Sequence, residues 1–161
     1  MENRARGHWV VYLSLLMAFL LTAFPLPEVF NWGRPQWVAM ITLYWVMMMP
    51  QRFGVAFAFI VGVILDGIEG TIIGQNAFIL TLMSFFVLAS YQRLRMFAVI
   101  QQVFSVSILM CLCLGLKFVI ERFQGMGQMN TLYFMPALIS ACVWPWLYLI
   151  LGTLSRRFKV A

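Results

Sequence analysis

The chain has 161 residues, of which 63% are hydrophobic and only 10% are charged, and its formal net charge is +6. Ordinary soluble domains are roughly 45–50% apolar and about 25% charged, so this sequence has too few polar side chains to cover a soluble fold. The composition excludes a soluble enzyme and predicts an integral membrane protein. The basic residues are scattered through short loops without forming a continuous patch, so nucleic acid is not an expected partner.

Six apolar segments follow one another along the chain, and the first shows no cleavage motif of a signal peptide. We predict an all-α fold, a compact bundle of about six transmembrane helices. No linker or shift of composition marks a second domain, so residues 1–161 are expected to form a single polytopic membrane domain. The approximate spans are 9–24, 37–49, 53–73, 77–91, 96–120 and 132–154.

The second apolar segment is short because Pro35 and Pro50 bracket it. At 1.5 Å per residue it reaches only about 20 Å across a hydrocarbon core of roughly 30 Å. Whether this segment fully spans the membrane is therefore open on length alone. The distribution of basic residues offers a second criterion, since short cytoplasmic loops collect Lys and Arg.

With six spans and a cytoplasmic N-terminus, only Arg34, Lys117 and Arg122 of the 11 basic residues lie outside. If the second segment does not cross, five spans with a cytoplasmic N-terminus place more basic residues outside than inside. Five spans with the N-terminus outside restore the excess in the cytoplasm, but the excess is smaller than with six spans. We therefore predict six spans, with both termini in the cytoplasm. The basic residues expected in the cytoplasm are Arg4, Arg6, Arg52, Arg93, Arg95, Arg156, Arg157 and Lys159.

One acidic residue inside an apolar segment, Asp66, is the first functional candidate, because ionisable groups are costly in a bilayer. Gly62, Asp66, Gly70 and Gly74 recur every four residues, and this spacing predicts one helical stripe that allows close helix approach. The favoured interpretation is helix packing around a satisfied polar group. Ion or solute binding is an alternative, and so is a re-entrant turn in which Gly67 and Gly70 break the helix.

Other polar residues are interpreted as interfacial. Glu69 is expected near the outer interface, in contact with water. Lys117 and Glu121 share a face near the outer end of the fifth segment, where snorkelling charges are the simplest interpretation.

No catalytic, cofactor-binding or metal-binding residues are predicted. The three cysteines, Cys111, Cys113 and Cys142, sit inside apolar segments and are interpreted as small buried hydrophobic residues. His8 is the only histidine, so neither a zinc site nor a histidine-based triad has a second candidate.

Several separated motifs, read together, resemble one family, the rod shape-determining protein MreD of bacteria, in its proteobacterial form. The resemblance covers essentially the whole chain, including its length, its arginine-bearing N-terminus and its short basic tail. The motifs are Arg34-Pro35-Gln36-Trp37, Leu43-Tyr44-Trp45, Pro50-Gln51-Arg52, the stripe of Gly62, Asp66, Gly70 and Gly74, and Trp144-Pro145-Trp146. Glu69 departs from the family pattern within the stripe's turn.

The resemblance implies a non-enzymatic scaffold of the elongation machinery in the bacterial inner membrane, which maintains rod shape and supports peptidoglycan synthesis. It implies MreC as the direct partner, and MreB, RodA and a class B penicillin-binding transpeptidase as further members of the complex. It also implies a distant fold likeness to the substrate-binding subunits of energy-coupling-factor transporters. A subunit that binds or transports a small solute or lipid intermediate is the alternative function.

Overall fold

The structure of the protein, a computed structural model, describes residues 8–25, 33–96, 98–125 and 131–158. These residues form an all-helical fold with six α-helices, as the sequence predicts. The basic residues Arg4, Arg6 and Lys159 lie outside the described residues. The helices are α1 (His8–Ala23), α2 (Trp37–Met48), α3 (Val55–Glu69), α4 (Gln75–Met96), α5 (Val99–Phe123) and α6 (Met135–Arg157), with a short 3-10 helix (Thr131–Phe134) before α6.

The short helix α2 is the most enclosed of the six. Every residue from Val38 to Met47 is buried, and a helix that is apolar all round is one that protein surrounds. Because its neighbours and not lipid cover it, its 12 residues need not match the thickness of a bilayer. Its shortness is therefore explained by its central position in the bundle.

Helix α3 is shorter than the predicted segment 53–73, because it begins at Val55 and ends at Glu69. Gly70 takes a left-handed conformation with φ of 67°, and its N–H donates to the carbonyl of Asp66. Thr71 N–H donates to the same carbonyl at 3.2 Å. Such a pair of bonds around a glycine is a common way to end a helix, and it is the physical reason for the earlier end.

Three of the described helices are long and apolar enough to cross a membrane, by length and composition. These stretches are Gln75–Leu94, Ile100–Phe123 and Met135–Arg157. Helix α4 extends beyond the predicted 77–91 at both ends, whereas α5 begins three residues after the predicted start at 96. Pro145 lies inside α6, where neighbouring helices can compensate for the lost backbone bond.

Helices α2 and α4 are at the centre of the packing. Helix α4 packs on α2, α3 and α5, and its contact with α3 is the most extensive in the bundle. Helix α1 packs on α2, and α6 packs on α5. Large apolar side chains cover much of the outer surface, including Leu16 and Leu20 on α1, Ile60 on α3, and Phe104 on α5. Lipid tails solvate such side chains well, so these faces suit a bilayer.

Candidate functional site

Helices α3 and α4 meet backbone against backbone at Gly62. A Cβ atom at this buried glycine would lie 2.3 Å from the Cα of Ala77 and 2.7 Å from its backbone nitrogen. No side chain fits at that distance, and the backbone of α4 cannot rotate away as a flexible side chain could. Gly62 therefore sets the separation of the two helices near the start of α4.

The carboxylate of Asp66 lies one turn further along α3 and is fully buried. Its two oxygens accept hydrogen bonds from the backbone N–H groups of Gly74 at 2.8 Å, Asn76 at 2.8 Å and Ala77 at 3.3 Å. The hydroxyl of Thr71 donates a fourth bond at 2.8 Å. Since the first N–H groups of a helix have no partner within it, Asp66 acts as the cap of α4 from the neighbouring helix.

This arrangement also suits an acidic side chain. The N-terminus of a helix carries a partial positive charge, and carboxyl oxygens are good acceptors for the first N–H groups of a helix. All four donors to Asp66 belong to the protein itself. The carboxylate is thus committed to the contact between α3 and α4, and it offers little to an ion or solute.

The four-residue spacing does not form one helical stripe, which corrects the expectation from sequence. Only Gly62 and Asp66 lie on α3, whereas Gly70 and Gly74 lie in the turn after it and have φ angles of 67° and 106°. Left-handed backbone is where glycine is favoured. Gly67 stays within α3, so the helix ends at Gly70 alone.

Glu69 links the turn between α3 and α4 to α5. Its Oε2 accepts a hydrogen bond from Asn76 Nδ2 at 3.0 Å and lies 2.7 Å from Lys117 Nζ. The sequence predicts a snorkelling side chain at Lys117, whereas the structure pairs it with Glu69. Both side chains remain partly exposed, so the pair ties α3 to α5 at a partly exposed edge of the bundle.

Beside this pair lies an open cleft with a volume of about 840 Å³. The end of α1, the segment leading into α2 and its first residues, and the end of α3 form part of its walls, together with the first turns of α4, the second half of α5 and the 3-10 helix. Tyr133 lines it and donates a hydrogen bond to Glu121 at 2.9 Å. Burial, and then the bond to Glu121 and its charge, raise the pKa of Tyr133, so its hydroxyl stays protonated as a donor.

Arg34, the first residue of one family-like motif, caps the C-terminus of α1. Its guanidinium donates to the carbonyls of Leu21 at 2.6 Å, Phe24 at 3.0 Å and Thr22. The last carbonyls of a helix lack partners within it, and cations are favoured there. Arg34 thereby fixes the segment before α2 to the end of α1.

Further motif positions connect helices to one another. Just after Pro35, the N–H of Gln36 donates to Ser140 on α6 at 2.9 Å, and α2 begins at Trp37. The indole N–H of Trp45 donates to Ser14 on α1 at 2.9 Å. These two bonds join the segment of α2 to α6 and to α1, respectively.

Motif residues in α6 have different surroundings. Trp144 is buried and its ring lies 6.4 Å from that of Tyr148, which in turn contacts Tyr44 of α2 at 5.7 Å. Trp146, two residues on, is 72% exposed and faces outward. Pro50 and Arg52 lie in the turn between α2 and α3, where the N–H of Arg52 donates to the carbonyl of Met49.

The cysteines do not share one environment. Cys113 is buried and Cys111 is partly buried, but Cys142 is exposed on α6, so the expectation of burial is wrong for Cys142. As α6 presents this side outward, lipid can cover the small thiol in place of protein. Among the described residues, no group of three or more His, Cys, Asp or Glu side chains is arranged to hold a metal ion.

Sequence reasoning missed the partners of Asp66 and Glu69, namely Thr71, Asn76 and Lys117. A local signal for the first was present: α4 begins after Gly74, which has no side chain to cap the helix. Unpaired N–H groups buried in a membrane need an acceptor, and Asp66 and Glu69 are the two carboxylates that shortly precede them in the sequence. The contact between Glu69 and Lys117 joins α3 to α5, which are far apart in the sequence, and has no comparable local signal.

Comparison with known proteins agrees with the resemblance found in the sequence. The family described as rod shape-determining protein MreD matches residues 3–154. The rod shape-determining protein MreD of Haemophilus influenzae is 26% identical over 161 residues, covering 99% of each chain. No solved structure matches this chain. The likeness to energy-coupling-factor subunits therefore stays a prediction, whereas the family match across nearly the whole chain shows that it belongs to the MreD family of rod shape-determining integral membrane proteins.

Proposed function

We propose that the chain is a non-enzymatic scaffold subunit of the bacterial rod complex and that its direct partner is MreC. Through MreC it supports the assembly of MreB, RodA and a class B penicillin-binding transpeptidase, which together make peptidoglycan during elongation. The observation that carries this proposal is the family match over residues 3–154. Membership of the rod-shape machinery follows from the family, and the scaffold role is our proposal for how the chain serves it.

The kind of surface that the helices expose supports a scaffold role. Two of the connections between the described helices, at 49–54 and 70–74, are each too short to form a folded domain outside the membrane. The large exposed surface consists of the apolar sides of helices. Transmembrane helices associate through such sides by close packing and occasional hydrogen bonds, so a membrane helix of MreC has a surface to bind.

In the proposed topology all six helices cross the inner membrane and both termini lie in the cytoplasm. The bias of Lys and Arg toward that side supports it. The turn with Asp66, the pair of Glu69 and Lys117, and the cleft then lie at the outer side. A cysteine-accessibility assay on intact cells would test this topology, with cysteines introduced at the exposed positions 51 and 72 expected to react from inside and outside, respectively.

Co-purification tests the partner. A tagged chain co-expressed with MreC and extracted in mild detergent should retain MreC in stable, near-stoichiometric amounts, and deletion of the chain should turn rods into spheres. An unrelated single-span membrane protein expressed at the same level provides the control. Clean separation of MreC from the chain, together with intact rod shape after deletion, would refute the scaffold proposal.

A further inference from the structure

The cleft beside Glu69 and Lys117 has the size of a small-molecule site. Its volume of about 840 Å³ falls within the roughly 300–1,000 Å³ that is usual for ligand pockets. A helix with its side chains is about 10–12 Å wide, so this volume would hold only roughly five to seven residues of one. A partner's transmembrane helix is therefore too large to be its occupant.

The walls of the cleft are apolar below and polar at the outer edge. Leu65, Ile68, Ile79, Leu80 and Leu114 supply hydrocarbon surface. Polar groups at the rim include the ion pair between α3 and α5 and the hydroxyl of Tyr133 bonded to Glu121. An amphipathic molecule with a hydrocarbon chain and a polar headgroup matches both parts.

The charges at the rim are balanced. Two cations, Arg34 and Lys117, and two carboxylates, Glu69 and Glu121, line the same cleft. A headgroup with both a negative and a positive group matches this set, whereas a purely anionic one meets no net attraction.

Not all hydrogen-bond donors of the two cations are used. Arg34 Nε is buried without a hydrogen-bond partner in the described part of the chain, although buried N–H groups are nearly always paired. The ammonium of Lys117 carries three donors, and Glu69 accepts from one of them. An acceptor-rich group such as phosphate would satisfy donors on both cations.

We propose that this cleft binds one glycerophospholipid with a zwitterionic headgroup. One of the lipid's two hydrocarbon chains lies along the apolar wall between α3, α4 and α5, and the other extends out of the cleft over the exposed helix faces. Arg34 and Lys117 hold the phosphate, and Glu121 faces the ammonium group. The site is separate from the scaffold surface, since it is formed by the inward sides of the helices and not by their outward sides.

Lipid retention tests the site. The purified full-length protein is reconstituted in nanodiscs of equal parts phosphatidylethanolamine and phosphatidylglycerol, re-extracted in mild detergent, and analysed by quantitative mass spectrometry. The protein should retain about one phosphatidylethanolamine per chain, in roughly tenfold excess over phosphatidylglycerol. Equal retention of both lipids, or of neither, would overturn the proposal.

Two pairs of variants locate the binding. Ile68→Trp fills the cleft from a half-exposed position on α3, and Ile60→Trp places the same bulk on an outward face of that helix. Lys117→Met removes a cation from the rim, and Arg157→Met removes one at the far end of α6. The two cleft variants, Ile68→Trp and Lys117→Met, should each lower the amount of retained phosphatidylethanolamine roughly tenfold. The two control variants, Ile60→Trp and Arg157→Met, should leave that amount unchanged.

If both cleft variants fold, by circular dichroism and gel filtration, and retain lipid as the original chain does, the site is refuted. If Lys117→Met fails to fold, Ile68→Trp decides alone. A photo-crosslinker at position 68 gives an independent readout. Adducts to lipid are expected, and adducts to MreC alone would show that a protein and not a lipid occupies the cleft.

Discussion

Two acidic residues one turn apart on α3, Asp66 and Glu69, have opposite surroundings. Asp66 is sealed between two helices and receives four hydrogen bonds from its own chain. Glu69 lies at the rim of an open cleft and forms an ion pair with Lys117 from another helix. In this bundle the buried acidic side chain therefore stabilises the contact between two helices, whereas the charged side chains at the cleft can also bind other molecules.

The largest effect on stability is expected at Asp66. Replacement of Asp66 by Ala would leave the first N–H groups of α4 buried without an acceptor, at a cost on the order of 3–5 kcal/mol. Unfolding in mixed micelles with increasing dodecyl sulfate measures this change. Glu69→Ala is the matched control at the partly exposed edge of the bundle, where the loss of unfolding free energy should stay below about 1 kcal/mol. Equal losses for the two variants would erase the distinction between the two regions.

A second large effect is expected at Gly62. Gly62→Ala forces α3 and α4 apart, since its Cβ would overlap the backbone of Ala77, and overpacking of this kind costs about 1–3 kcal/mol. Gly67→Ala on the same helix meets open space and should stabilise α3 by about 0.5–1 kcal/mol. The same unfolding assay compares the pair. A tolerated alanine at position 62 would mean that the close approach is not required.

A smaller effect is expected at Trp45. Trp45→Phe keeps most of the buried ring but removes the hydrogen bond to Ser14, which should cost about 0.6–1 kcal/mol in a membrane bundle. Trp146→Phe changes an outward-facing ring and should leave unfolding unaltered. A larger loss at 146 than at 45 would contradict the assignment of inward and outward faces on α2 and α6.

The smallest effect on stability is expected at Lys117. Its ion pair with Glu69 is partly exposed, and such pairs contribute about 0.2–1 kcal/mol. Lys117→Met should therefore unfold nearly as the original chain does and should lose the residual salt dependence of the pair. Destabilisation as large as that of Asp66→Ala would show that the rim, too, holds the fold together.

The helical class and the order of the apolar segments were predictable from sequence, because hydrophobic runs and prolines act locally. A close approach of two helices at a small residue such as Gly62 was also predictable, but the end of the helical stripe before Gly70 was not. Gly70 and Gly74 share a spacing with Asp66 that holds only while α3 continues, and the left-handed turn at Gly70 ends it. Spacing alone cannot distinguish a glycine that packs from one that terminates.

The cleft lay beyond sequence reasoning for a different reason. Arg34, Glu69, Lys117 and Glu121 come from segments that are distant in the chain, and their meeting depends on how the helices cross. Each of these charges, taken alone, has an ordinary interfacial interpretation. The enclosure of α2 was hidden similarly, because a short apolar segment looks the same whether lipid or protein surrounds it.

In-cell crosslinking from outward-facing positions to MreC tests the scaffold proposal most directly. A photoreactive residue is placed singly at exposed positions such as Leu16, Ile60, Phe104 and Trp146. The negative control is Met83, a fully buried position on α4 that already carries a long side chain. We expect strong adducts to MreC from a contiguous set of outward positions and none from position 83. Absence of MreC adducts at every outward position would contradict the account.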